Sequence, residues 1–172
     1  ALLLAASCAW GQTLPLGERL AEIREINRFI PERALPMLLA IEREARAASV
    51  EEKGEMLAQL CVAQMGVGQL DKALATCDEL IEFGRASKDN AALAKGLLRK
   101  GYIKYKQKEL DLSHALIWEA ERLAATTQDV ELRVRAGVSS AESFAEEGNF
   151  PRALEKAQAT VAYTRQHGTP VH

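Results

Sequence analysis

The chain has 172 residues, of which 48% are hydrophobic and 27% are charged. This length and composition exclude a low-complexity or disordered chain, because the apolar residues can fill a continuous core. The formal net charge of -2 at pH 7 provides no general attraction to nucleic acid, so the sequence predicts no nucleic-acid partner.

The N-terminal segment is apolar and ends in small residues. Residues 1–12 have the sequence ALLLAASCAWGQ, which is typical of the end of a secretory signal peptide, and a small-x-small site predicts cleavage after Gly11. The remnant would therefore cover residues 1–11. A lipoprotein signal that ends at Cys8 and a buried first helix are the alternative interpretations. A cleaved signal predicts a periplasmic protein. Tethering of the full-length protein to the inner membrane is compatible with this prediction.

From Leu16 onward, apolar residues recur at helical spacing in paired segments. Pro31 can open the second helix of the first pair, and Ser49 can cap the first helix of the second pair. Polar joints separate the pairs, which cover about residues 16–48, 51–86, 89–126 and 129–167. Val171 stands where Val50 and Val130 begin earlier pairs, so we expect a further repeat to begin there and the chain to stop within it.

A short motif recurs in these pairs. Residues 68–74 read GQLDKAL and residues 148–154 read GNFPRAL, and weaker copies occupy residues 108–114 and 29–35. The steps between the small residues of the motif are 39, 40 and 40 residues, which indicates stacked two-helix repeats. These small residues, which would let the two helices of a hairpin approach closely, are Ala34, Ala73, Ser113 and Ala153.

The motif resembles that of the tetratricopeptide repeat (TPR) family. That family has a small residue midway along the first helix and Gly-x-Phe/Tyr-x-x-Ala at the start of the second. In this chain the matching positions are Cys61, Gly68, Leu70, Ala73 and Leu80, then Gly101, Leu110, Ser113 and Ala120, and then Ala141, Gly148, Phe150 and Ala153. The step near 40 exceeds the family's usual 34 or so residues, which indicates longer helices. The resemblance implies an all-α fold, a right-handed superhelix of about four TPR-like hairpins over residues 12–172.

The combination of a secretion signal and long-helix repeats resembles the extracytoplasmic region of some bacterial membrane-bound diguanylate cyclases. In those proteins a membrane helix and a GGDEF catalytic domain follow the repeats. The resemblance implies a protein- or peptide-binding module with a sensory or regulatory role in signal transduction. A stand-alone periplasmic scaffold or assembly protein, and a cytosolic TPR regulator, are the alternatives.

No catalytic or cofactor chemistry is expected in this segment. The three histidines share no i,i+4 spacing, and the sequence has neither an HExxH motif, nor paired CxxC motifs, nor a Walker-type glycine loop. We therefore predict no enzyme activity, no cofactor and no metal for it, and no membrane span. Ideal antiparallel helices about Gly68 would separate Cys61 and Cys77 by about one helical turn, so we expect two buried free thiols, and a bridge between them is the alternative.

The TPR family lines a concave groove with its first helices, and the resemblance implies a partner-binding groove here. Residues 99–108 contain five basic residues and two tyrosines, which suit an acidic or C-terminal peptide. A solvated helix with half-buried tyrosines is the alternative, and self-association is a second possible use of the surface. The polar and aromatic candidates are Lys95, Tyr102, Tyr105, Lys106, Arg135 and Glu142. The remaining candidates are Arg19, Ile23, Ala58, Val62, Met65 and Val138.

Overall fold

The computed structural model describes residues 14–168. This part of the chain contains eight α-helices and no strand, so the predicted all-α class is confirmed. The predicted signal peptide, its cleavage site, Cys8 and the expected repeat start at Val171 lie outside the described residues. The helices are α1 (Leu16–Phe29), α2 (Pro31–Arg46), α3 (Val50–Gly66), α4 (Leu70–Ser87), α5 (Asn90–Lys106), α6 (Leu110–Ala124), α7 (Val130–Glu146) and α8 (Phe150–His167).

The chain divides into two compact units, residues 1–73 and 74–172, and α4 begins in the first and continues in the second. In the first unit, α1 packs against α2, and both helices pack against α3. In the second unit, α5 pairs with α6 and α7 pairs with α8, while α7 also contacts α5 and α6. The single repeat domain expected over residues 12–172 stays a prediction.

Several helices end in the same left-handed turn. Gly68, Lys108 and Gly148 follow α3, α5 and α7 with φ angles of 78°, 66° and 75°, and Lys88 follows α4 with a φ of 56°. In each turn the next residue donates its N–H to a carbonyl of the preceding helix, as Gln69 does to Gln64 at 2.8 Å. This is the Schellman arrangement, which satisfies carbonyls that the helix leaves unpaired. The motif glycine therefore has a conformational role, which Lys108 performs in the third repeat.

Side chains cap the starts of α3, α5 and α7, which follow polar joints. Ser49 accepts a hydrogen bond from the backbone N–H of Glu52, whose carboxylate in turn accepts from Ser49. Asp89 accepts from the first N–H groups of α5, and Asp129 accepts from Leu132 in α7 at 2.9 Å. The predicted cap at Ser49 is confirmed. Such caps typically stabilise a helix by about 1 kcal/mol each.

The small residues of the motif lie where helices meet. Ala34, Ala73 and Ser113 are fully buried, and the hydroxyl of Ser113 donates to the Gly101 carbonyl at 2.9 Å. A Cβ atom on Gly101 would lie only 2.9 Å from Ile117 Cγ1, so α5 and α6 approach too closely there for a larger residue. Ala153 differs from the others, because it is only half-buried and no residue of α8 is fully buried.

Each unit has its own apolar core. Leu20, Leu38 and Leu57 are buried in the first unit, and the largest fully buried side chains of the second include Leu97 and Ile103. These side chains occupy the inward positions that helical periodicity predicts. Leu39 of α2 and Leu110 of α6 are instead 51% and 42% exposed. Within residues 14–168, none of the helices combines the length and the apolar character that crossing a bilayer requires.

The prediction of two free thiols is wrong. Cys61 and Cys77 are buried, and each of them is disulfide-bonded. The prediction rested on the rise of ideal straight helices that pair residue for residue across the turn at Gly68. Real helices tilt and shift along their axes when they pack, so two residues need not keep the axial separation that ideal straight helices give them.

Candidate partner-binding face

Helices α5 and α7 of the second unit present polar side chains at helical spacing. The spacing of i, i+4, i+7 and i+11 places four residues of α5 on one side of that helix, and α7 presents a similar row. These side chains are half-buried or exposed. We call this surface the α5–α7 face; it consists of Lys95, Arg99, Tyr102 and Lys106 on α5 and of Glu131, Arg135, Val138, Glu142 and Glu146 on α7, together with Tyr105.

Two arginines dominate the electrostatics of this face. Burial and, secondly, the positive charge of Arg135 lower the pKa of Arg99 to about 10, and Glu131 opposes this shift. The guanidinium of Arg135 donates to Glu131 at 2.8 Å. Among the described residues, no carboxylate lies within ion-pair distance of Arg99. The half-buried charge of Arg99 is therefore poorly compensated, which is an arrangement found at anion-binding sites.

Tyr102 and Lys106 form the exposed part of the face. They are one helical turn apart on α5, and the Lys106 ammonium lies 5.3 Å from the centroid of the Tyr102 ring. The Tyr102 side chain is 46% exposed. An exposed aromatic ring next to a cation offers both apolar area and positive charge to a partner.

Tyr105 and Lys95 are engaged within the fold. The phenol of Tyr105 donates a hydrogen bond to the Glu146 carboxylate, and this bond and the nearby negative charges raise the pKa of Tyr105 above 10.0. Glu142 contributes to the same shift. Lys95 Nζ lies 3.3 Å from Asp129 Oδ2. These two side chains therefore join α5 to α7 and the joint before it, and they leave Arg99, Tyr102 and Lys106 as the outward groups.

Two candidates in the first unit do not lie on a surface. Ile23 and Ala58 are 2% and 8% exposed, so the prediction that they line a groove is wrong. Their apolar character fits a core position, and the resemblance to the family assigned them by register alone. Val62 and Met65 are half-buried, and Arg19 forms an ion pair with Glu44.

Sequence reasoning missed Arg99 and Glu146 as members of the face. The signal for Arg99 was available, since it lies four residues after Lys95 and three before Tyr102 on the same helix. The basic run that contains it includes lysines that are paired within the fold. Lys100 and Lys104 form ion pairs with Asp78 at 2.6 Å and with Glu109 at 3.0 Å.

Within residues 14–168, no group of three His, Cys, Asp or Glu side chains could hold a metal ion.

Comparisons with known proteins support the fold. No protein-family model matches the chain, and no curated protein matches it significantly. Two crystal structures of a putative kinesin light chain with nearly identical TPR-like repeats, from Podosopora anserina, align with a TM-score of 0.64 and 14% identity over 91% of this chain and 78% of theirs. MamA from Desulfovibrio magneticus RS-1 reaches a TM-score of only 0.40, too low for an argument. The chain thus has an all-α, TPR-like repeat fold.

Proposed function

We propose that the chain is a protein- or peptide-binding repeat module whose α5–α7 face captures an anionic segment of a partner. The observation that carries this proposal is the half-buried guanidinium of Arg99, whose pKa burial and the charge of Arg135 lower although Glu131 opposes the shift. A carboxylate of a bound peptide would compensate this charge, and arginine binds carboxylates with two parallel hydrogen bonds. Tyr102 would supply apolar contact next to it.

The shape of the proposed ligand follows from the same residues. Arg99, Tyr102 and Lys106 extend along more than one turn of α5, so an extended segment can contact all three at once. Glu142 and Glu146 lie on α7, where they would repel additional negative charge. We therefore expect a partner segment with acidic residues at one end, toward Arg99, rather than a uniformly acidic one.

We further propose that this module is the periplasmic sensory or regulatory region of a bacterial signalling protein of the diguanylate cyclase type. The apolar N-terminal sequence supports export, and disulfide-bonded cysteines are typical of oxidising compartments. The module itself would bind without catalysis. The complete gene tests this context: a membrane helix followed by a GGDEF domain would support it, and further repeats followed by a stop codon would contradict it.

The binding proposal can be tested with fluorescent peptides in anisotropy titrations. One peptide carries acidic residues and a free C-terminal carboxylate, a second replaces the acids with their amides, and a third is lysine-rich. We expect the acidic peptide to bind most tightly. The substitution Arg99→Gln should weaken it about tenfold or more, because it removes a charge-assisted hydrogen bond. Tyr102→Ala combined with Lys106→Ala should weaken it as well.

Arg43→Gln provides the matched control, since it removes the same charge from an exposed position of α2 in the first unit. This variant should bind like the parent. Circular dichroism should show unchanged helix content in all variants. Equal affinity of the parent and Arg99→Gln for the acidic peptide, or equal affinity of the parent for all three peptides, would overturn the proposal.

A further inference from the structure

A cleft in the second unit is lined by none of the residues of the α5–α7 face. It has a volume of about 550 Å³, and it is open to solvent between α6 and α8, with Phe144 of α7 contributing to its wall. This volume is in the range of small-molecule sites in proteins, about 300–1,000 Å³. We call it the α6–α8 cleft; the lining residues that matter here are Trp118, Glu121, Arg122, Phe144, Arg152 and Lys156.

Planar groups stack in a row at this cleft. The rings of His114 and Trp118 have centroids 5.9 Å apart, and those of Trp118 and Phe144 are 4.8 Å apart at an interplanar angle of 18°. The Arg152 guanidinium lies 5.4 Å from the Phe144 centroid. Packing thus limits the orientations of Trp118 and Phe144, and this wall of the cleft is aromatic. Such a wall favours a ligand with a flat apolar ring, because aromatic rings gain specific contact energy beyond their buried area.

The charges of the cleft are unequally compensated. Lys156 Nζ contacts both carboxylate oxygens of Glu121, at 2.8 and 2.9 Å, so this pair is neutral. Arg122 and Arg152 have no carboxylate within ion-pair distance among residues 14–168. Glu155 is the other acid in the lining. Two guanidinium groups therefore remain available to an anion from solution.

The position of Arg152 adds to this positive potential. It is the third residue of α8, where the helix macrodipole disfavours a cation. The residue before Arg152 is Pro151. The other three copies of the repeat motif have an acidic residue at the position of Pro151, namely Glu32, Asp71 and Asp111. The first turn of α8 accordingly contains no acid. A ligand carboxylate at Arg152 would supply the negative charge that the other copies have in their own sequence.

We propose that the α6–α8 cleft is a second binding site, for a planar aromatic carboxylate. The ring would pack against Trp118 beside the buried Phe144, and the carboxylate would accept hydrogen bonds from Arg122 and Arg152. The ring of the ligand matches the aromatic wall, and its carboxylate matches the two guanidinium groups that have no carboxylate partner among residues 14–168. This site is independent of the peptide-binding proposal, because the two share no residue.

Calorimetric titration with 2-naphthoate tests the site, with 2-naphthamide as the neutral counterpart and cyclohexanecarboxylate as the non-aromatic anion. We expect saturable one-to-one binding of 2-naphthoate and weaker binding of both counterparts. Arg152→Gln should weaken 2-naphthoate about tenfold or more, because an arginine–carboxylate contact is lost. Arg165→Gln, on the exposed last turn of the same helix, should leave the affinity unchanged.

The Trp118 indole provides a local readout. Of the two tryptophans in the sequence, Trp10 lies in the predicted signal peptide, so the indole N–H signal of a chain that begins at Gln12, or of Trp10→Phe in the full chain, belongs to Trp118. We expect 2-naphthoate to shift that signal. If Arg152→Gln does not fold, Arg122→Gln gives the same comparison. An unshifted Trp118 signal, or equal binding of the naphthamide, would overturn the proposal. Equal binding of cyclohexanecarboxylate or inorganic phosphate would reduce the site to a simple anion site and refute the aromatic specificity.

Discussion

Gly84→Ala should destabilise the second unit, although alanine is normally the better helix former. Gly84 is buried in α4, and a Cβ atom there would lie 2.5 Å from the backbone nitrogen of Leu93 and 2.8 Å from its Cα atom in α5. Ordinary van der Waals contact begins near 3.4 Å. Because the obstacle is backbone, no side-chain rotation can relieve the overlap, and α4 and α5 must move apart.

The expected size of the effect follows from two opposing terms. Overpacking in a well-packed core costs about 1–3 kcal/mol, and a backbone neighbour places this case at the upper end. Replacing glycine by alanine within a helix contributes about 1 kcal/mol in the opposite direction. The net loss is about 2 kcal/mol. For a chain of this length it corresponds to a melting temperature about 4–8 °C lower.

Thermal and urea unfolding followed by circular dichroism measure this change. Gly17→Ala is the matched control: it makes the same substitution in α1, where the nearest atom to an added Cβ is Glu52 Oε1 at 4.0 Å. The control should be neutral or stabilising, by up to about 1 kcal/mol. If Gly84→Ala were as stable as the parent, the close approach of α4 and α5 at Leu93 would be refuted.

Two further predictions concern the third repeat. Lys108→Gly should raise the free energy of unfolding by about 1 kcal/mol, and the urea midpoint with it, because Lys108 has a φ of 66° and only glycine adopts this conformation without cost; a lower midpoint would contradict the left-handed turn. Glu146→Gln should lower the pKa of Tyr105 toward that of an ordinary tyrosine, because the Glu146 hydrogen bond is the largest cause of its increase. The hydrogen bond stabilises the fold below the unfolded pKa, near 10, and this contribution is lost as the pH rises through the higher folded value. Tyrosinate absorbance against pH, with Tyr105→Phe to identify the step, measures this shift, and an unchanged step in Glu146→Gln would refute the contact.

Local sequence signals predicted the elements of the fold well. Apolar residues at helical spacing, proline at Pro31 and the capping residue Ser49 are short-range signals, and each acts through the chain's immediate neighbours. The motif at residues 68–74 similarly contains both the turn and the small residue that follows it. These features predicted an all-α repeat fold because every repeat encodes its own hairpin.

The candidate site was only partly predictable. Tyr102 and Lys106 lie one turn apart on one helix, so their proximity followed from the sequence alone. The electrostatic interactions of Arg99 with Arg135 and of Tyr105 with Glu146 join residues more than 30 positions apart, and they depend on how α5 and α7 pack. The same reason explains Ile23 and Ala58, whose register suggested a groove but whose side chains are buried.

By itself, the sequence determined the helices, their turns and the repeat that relates them, because these depend on interactions within a few residues. Only the tertiary structure decided which charges are compensated and which are not. Lys156 is neutralised by Glu121, while Arg99, Arg122 and Arg152 have no such partner within the described residues. An ion pair depends on distances of a few ångströms between side chains of different helices, and helix tilt and axial shift set those distances after the local structure has formed.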